Sequence, residues 1–102
     1  MRFLVADDNV DAKMRREVAV ILRTMGYVDE AISSLLKLSQ SSSVEAQVRA
    51  RALKTLGWYN EAHRVLSDLE DISRNDPDES VRQIARETIR KIRRKSRDAF
   101  VF

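Results

Sequence analysis

Residues 48–59 read VRARALKTLGWY, and residues 81–92 repeat the same pattern as VRQIARETIRKI. In both stretches an apolar residue and an arginine are followed by apolar residues four, eight and eleven positions after the first. Residues 14–25, MRREVAVILRTM, carry the pattern a third time, so its period is 34 and then 33 residues. A fixed period of this length is typical of stacked helical hairpins, each of which buries its apolar face against its neighbour.

The composition favours a single all-α domain. The chain has 102 residues, of which 34% are charged and 43% hydrophobic, with only two glycines and one proline to interrupt helices. A chain of this length buries enough surface for one core. We therefore predict one domain over residues 1–102, with repeats at about 8–41, 42–75 and 76–96 and a tail at 97–102.

Cysteine usage and hydropathy bear on the compartment. The absence of cysteine excludes disulfides and thiolate metal sites and is typical of a reducing compartment. No apolar run approaches the ~20 residues that a membrane-spanning helix needs. The first nine residues, MRFLVADDN, hold two acids where a signal peptide keeps its apolar core. We predict a cytoplasmic protein without a membrane partner.

The helical periodicity predicts about five helices. The first runs from near Asp8 to Met25, and the last runs from Pro77 to roughly Ser96. Three helices lie between them, the last of which spans about residues 60–73 without interruption. The first helix is expected to bury one apolar face, made of Met14, Val18, Ile21, Leu22 and Met25.

A family resemblance lies in the third copy of the pattern. The residues Asp76-x-Asp78-x-x-Val81-Arg82-x-x-Ala85-x-x-x-Ile89-x-x-Ile92 resemble the HEAT-like repeat in the form found in phycobilisome-lyase-type proteins. The same frame fits the second copy and, more loosely, the first, so the resemblance covers residues 8–92. It implies a short right-handed α-α superhelix of antiparallel helix pairs that serves as a binding surface. It also implies that Arg49 and Arg82 brace neighbouring repeats by pairing with acids in the loops.

A second resemblance remains open. The spacing Gly57-x-Tyr59-x-x-Ala62-x-x-x-Leu66-x-x-Leu69 is similar to the second half of a tetratricopeptide repeat. That family also stacks helix pairs, so the expected type of partner changes little. Both resemblances favour an interaction module made of repeated helices.

Aromatic residues are the candidate contacts with a protein partner. Tyr27 and the pair Trp58 and Tyr59 occupy equivalent turns. Large aromatics anchor interfaces where they are exposed, and they fill gaps between hairpins where they are buried. Phe100 and Phe102, in the apolar tail, either cover the open end of the stack or dock on a neighbouring chain. We predict a homodimer contact made by the fifth helix and this tail.

A basic stripe runs along the predicted fifth helix. Steps of three and four residues align Arg86, Arg90, Arg93, Arg94 and Arg97 on one side of that helix. Such a stripe can bind the phosphates of a nucleic acid or an acidic protein surface. It can also offset the dipole at the C-terminal end of the helix. Nucleic-acid binding is therefore the alternative to protein binding.

The sequence offers no constellation typical of catalysis or of metal binding. His63 has no second histidine and no cysteine with which to share a metal, and Glu61 and Asp68 do not flank it on one helical face. We predict no catalytic residue, no metal and no cofactor. The pattern predicts a non-catalytic protein-protein interaction module, a small scaffold that binds a protein partner.

Overall fold

Five α-helices make up the fold. The computed structural model describes residues 8–98, and these residues contain no strand. A 3-10 helix at Asn60–Val65 precedes the fourth α-helix. The α-helices are α1 (Asp8–Thr24), α2 (Val28–Gln40), α3 (Ala46–Leu56), α4 (Leu66–Asn75) and α5 (Glu79–Asp98). The predicted all-α class is therefore confirmed.

The helices form two layers. α1, α3 and α5 contact one another in that order, while α2 and α4 lie in the second layer and also contact each other. Three consecutive pairs pack directly, namely α1 with α2, α2 with α3, and α4 with α5. The Cα atoms extend over 49 × 33 × 16 Å, a thickness that fits two layers of helices.

The apolar stripes of the second and third copies form the centre of the core. They belong to one hydrophobic cluster to which all five α-helices contribute. α5 packs on α3, on the 3-10 helix and on α4, all of which precede it in the chain. Each large aliphatic side chain buried in this way stabilises the fold by about 1.5–3 kcal/mol. The buried stripe residues are Val48, Ala52, Leu56, Tyr59, Val81, Ala85, Ile89 and Ile92.

The stripe of the first copy is exposed, and the prediction that it is buried is wrong. Four of its residues are between 44% and 64% exposed, and only Leu22 is partly buried. α1 instead packs on α2 with Ala19 fully buried, because no described helix precedes α1 to cover the stripe. The exposed residues are Met14, Val18 and Ile21 of α1 and Met25, which directly follows that helix, and we call them the α1 stripe.

The fourth and fifth helices begin later than predicted. The helix expected over residues 60–73 opens as the 3-10 helix, in which Ala62 is fully buried. α5 begins at Glu79 and not at Pro77, because Asp78 is its capping residue. One Asp78 carboxylate oxygen accepts hydrogen bonds from the backbone N–H groups of Ser80 (2.8 Å) and Val81 (3.1 Å).

A buried ion pair ties α3 to the loop before α5. Arg49 donates through Nε and Nη2 to the two carboxylate oxygens of Asp76, each at 3.0 Å, and through Nη1 to the backbone carbonyl of Val44. The bracing role of Arg49 is therefore confirmed. Arg82 donates to the backbone carbonyl of Asp76 at 2.6 Å, so it braces the same loop without a carboxylate. Arg15 is exposed, and the residue equivalent to Asp76 one repeat earlier is Ser43.

Removing the charge of Asp76 should lower the free energy of unfolding far more than removing the charge of an exposed acid. Asp76→Asn leaves the guanidinium of Arg49 buried without a counter-charge, and we expect it to lower the free energy of unfolding by about 3–5 kcal/mol. Asp71→Asn is the matched control, since Asp71 pairs with Arg74 in water and its loss should cost under ~0.5 kcal/mol. Urea denaturation measures both values, and equal losses would contradict a bracing role.

The cap of α5 should make stability depend on pH. Hydrogen bonds from the Ser80 hydroxyl and then from the Val81 backbone hold the pKa of Asp78 below its ordinary value of 3.8. A carboxyl with a depressed folded-state pKa stabilises the fold above its unfolded pKa and loses that contribution as the pH falls through its folded pKa. We expect Asp78→Ala to lower the Tm at neutral pH. The difference in Tm from the unmutated chain should shrink below pH 3.8, whereas a constant difference would contradict the assignment.

Candidate protein-binding surface

A shallow groove lies between the end of α3 and the middle of α5. Its volume is about 260 Å³, and Gly57 forms part of its wall. A Cβ atom at Gly57 would lie 3.5 Å from side-chain atoms of both Lys91 and Thr88, so α5 is within van der Waals distance of this position. Thr88 fixes that approach by donating to the backbone carbonyl of Leu53 at 3.3 Å. We call this the Trp58 groove; it is lined by Lys54, Gly57, Trp58, Ile84, Glu87, Thr88 and Lys91.

Trp58 stands at the mouth of the groove with 67% of its surface exposed. The ammonium of Lys91 lies 3.8 Å from the ring centroid, within cation–π distance, and that of Lys95 lies 5.8 Å away. Lys95 also donates to the backbone carbonyl of Gly57 at 3.0 Å. Burial, together with the nearby charges of Lys91 and Arg23, lowers the pKa of Lys95. The indole is therefore exposed and held in place by cations of α5.

Tyr59 lies in the core and not on the surface. Its side chain is 5% exposed, and the guanidinium of Arg23 covers the ring at 4.5 Å from the centroid. Its hydroxyl has no hydrogen-bond partner among the described residues, and burial raises the pKa of that hydroxyl. The signal for burial is present in the sequence, because Tyr59 occupies the same position in the repeat as the buried Ile92. We therefore leave Tyr59 out of the contact surface.

Tyr27 is exposed in the turn between α1 and α2. Gly26 enables this turn by adopting a left-handed conformation, with φ at +95°, at the end of α1. The backbone N–H of Tyr27 then donates to the carbonyl of Leu22 at 2.8 Å. Tyr27 and Trp58 thus occupy equivalent turns in successive repeats, and both present an aromatic ring to solvent.

Part of the basic stripe stabilises the end of α4. Arg86 donates to the backbone carbonyl of Ser73 at 3.4 Å, and Arg93 forms an ion pair with Glu70. Together with Arg82, these arginines satisfy carbonyls and acids near the C-terminal end of that helix, where cations are favoured. Arg90, Arg94 and Arg97 are exposed on the same helix.

Other predicted features bear less on this surface. Phe100 and Phe102 lie outside the described residues. His63 is exposed, and its Nδ1 lies 3.1 Å from the backbone oxygen of Asn60. Within residues 8–98 no group of three or more acidic, histidine or cysteine side chains is placed to hold a metal ion. None of the described helices combines the length and the apolar character that crossing a membrane requires.

Comparison with known proteins assigns the family. The model of the family described as HEAT repeats matches residues 3–90. No curated protein and no solved structure matches the chain significantly. HEAT repeats generally form all-α superhelical scaffolds for protein interactions and are typically non-catalytic, in agreement with the five stacked helices. The match covers most of the chain, and the protein therefore belongs to the HEAT-repeat family.

Proposed function

We propose that the protein is a non-catalytic scaffold that binds an acidic protein partner at the Trp58 groove. Tyr27, on the equivalent turn, supplies a second aromatic contact. The family supports the general role, because HEAT repeats usually mediate protein interactions. The absence of cysteine supports a cytoplasmic location.

The exposure of Trp58 is the observation that carries the proposal. A large aromatic side chain gains most from burial, and tryptophan and tyrosine are enriched among residues that dominate binding energy. The ring leaves two-thirds of its surface in water while Lys91 restricts its orientation. A side chain already held in place loses little entropy when a partner covers it. Trp58 therefore has the properties of an anchor residue.

The charges around the groove favour an acidic partner. Lys91 and Lys95 lie against the Trp58 ring, Lys54 also lines the groove, and Glu87 is the only acid in that lining. The pKa of Lys95 is lowered partly by its neighbouring cations, so an incoming carboxylate would relieve repulsion there. Complementary charge of this kind steers encounter and orients the partner.

Nucleic-acid binding through α5 has weaker support. Arg86 and Arg93 already contact Ser73 and Glu70, and a phosphate would have to compete with those contacts. Glu70, beside Arg93, would also repel a phosphate. Arg90, Arg94 and Arg97, the other exposed arginines of the stripe, would provide few of the phosphate contacts on which nucleic-acid affinity depends.

Trp58→Ala should abolish capture of the partner without unfolding the chain. We expect the loss of this exposed anchor to weaken binding roughly 30-fold, about 2 kcal/mol, and to change stability by less than ~0.5 kcal/mol. The measurement is affinity capture from an extract of the source cells, treated with nuclease, followed by titration of the captured protein. Isothermal titration calorimetry measures both affinities, because Trp58→Ala removes the single tryptophan of the chain and its fluorescence with it.

Arg74→Ala is the control, because Arg74 is an exposed cation on α4 that does not line the groove. It should retain the partner, and Lys91→Glu should lose it. Capture that is unchanged by Trp58→Ala would place the partner elsewhere on the molecule. Capture that disappears on nuclease treatment would favour the nucleic-acid alternative.

A further inference from the structure

The α1 stripe has the spacing of a helix-pairing seam. Met14, Val18, Ile21 and Met25 are separated by four, three and four residues. This alternation keeps apolar residues on the narrow face that one helix presents to another. All four side chains are between 44% and 64% exposed. The largest contiguous apolar patch on a soluble protein is often a functional contact.

The repeats show what kind of element covers such a stripe. The equivalent residues in the second and third copies are buried, for example Val48 and Val81 at the position of Met14. In those copies a preceding helix packs on the stripe-bearing helix, α2 on α3 and α4 on α5. No described helix lies in that place on α1. The missing element is therefore a helix with an apolar face.

The order of residues along the stripe points to a second copy of this chain. The spacing reads the same in both directions, with a methionine at each end and a β-branched residue at each inner position. A twofold contact requires this self-complementarity, because each surface then meets its own copy. When two such helices run antiparallel, Met14 faces Met25 of the second copy and Val18 faces its Ile21.

Other contacts between copies fit less well. Among the described helices, only α1 carries large hydrophobic side chains that are exposed to solvent. The exposed aromatic residues Tyr27 and Trp58 lie in turns between helices. Arg86, Arg90 and Arg93 are exposed on α5, the last described helix, so a head-to-tail contact through that side would place arginines against an apolar stripe. Taking a charged group such as Arg90 out of water against apolar side chains is costly. The twofold contact avoids this cost.

We propose that the protein forms an antiparallel homodimer through the α1 stripe. The stripe spans about 16 Å at the helical rise per residue. The contact is therefore small beside the ~800 Å² per partner of a standard interface. We expect a weak dimer that dissociates in the range of roughly ten to a few hundred micromolar. The pairing does not use the Trp58 groove and does not depend on the function proposed for that groove.

Sedimentation equilibrium of the full chain tests the dimer, at concentrations from roughly 1 μM to 1 mM. The average mass should rise toward twice the chain mass. Ile21→Glu should weaken the association at least about tenfold, because it places a carboxylate in the seam. Ser33→Glu adds the same charge at an exposed position of α2 and should leave the association unchanged. A monomeric mass throughout, or a dimer indifferent to Ile21→Glu, overturns the proposal.

Cysteine cross-linking tests the orientation, since the chain has no cysteine of its own. A mixture of Met14→Cys and Met25→Cys chains should form a disulfide-linked dimer on mild oxidation. Either variant alone should not, because antiparallel pairing keeps identical positions far apart. Cross-linking of Met14→Cys to itself as readily as to Met25→Cys would indicate parallel pairing and overturn the proposal. An unchanged Tm shows that each variant is folded.

Discussion

The fold depends on one constraint, which is that each helix of the α1, α3 and α5 layer presents an apolar stripe that another helix must cover. α2 meets this need for α3, and α4 meets it for α5. Because hydrophobic burial is the main favourable term in folding, these contacts determine the order and spacing of the helices. The same constraint is unmet at α1, where the stripe from Met14 to Met25 faces solvent. The repeat itself thus accounts for the exposed apolar stripe on which the proposed dimer depends.

Charged residues fix the positions of the loops that connect the layers. Arg49 reaches from α3 to Asp76 with two 3.0 Å hydrogen bonds, and Arg82 donates to the backbone of the same residue. Asp76 is therefore fully engaged, and capping of α5 falls to Asp78. Held by this loop, α5 brings Lys91 over Trp58 and forms the groove. The packing that stabilises the stack thereby positions its candidate binding surface.

The sequence predicted much of the fold and less of the surface. A helical period shows which residues share a face, and this was enough to predict the burial of Val81 and its neighbours in α5. It does not show whether another helix covers that face, and the prediction for Met25 was wrong for this reason. The burial of Tyr59 could be read from its register. The position of Lys91 over Trp58 could not be predicted from the sequence, since it depends on how closely α5 approaches Gly57.

Comparing equivalent positions of the stripe tests the central claim most directly. Met25 and Ile92 occupy the same place in the first and third copies, but only Ile92 is buried. At concentrations well below those at which the proposed dimer forms, Ile92→Ala should lower the free energy of unfolding by about 2–5 kcal/mol. Met25→Ala should change it by less than ~0.5 kcal/mol. Urea denaturation of both variants measures these free energies. A comparable decrease in Met25→Ala would contradict the claim that the stripe of α1 is uncovered.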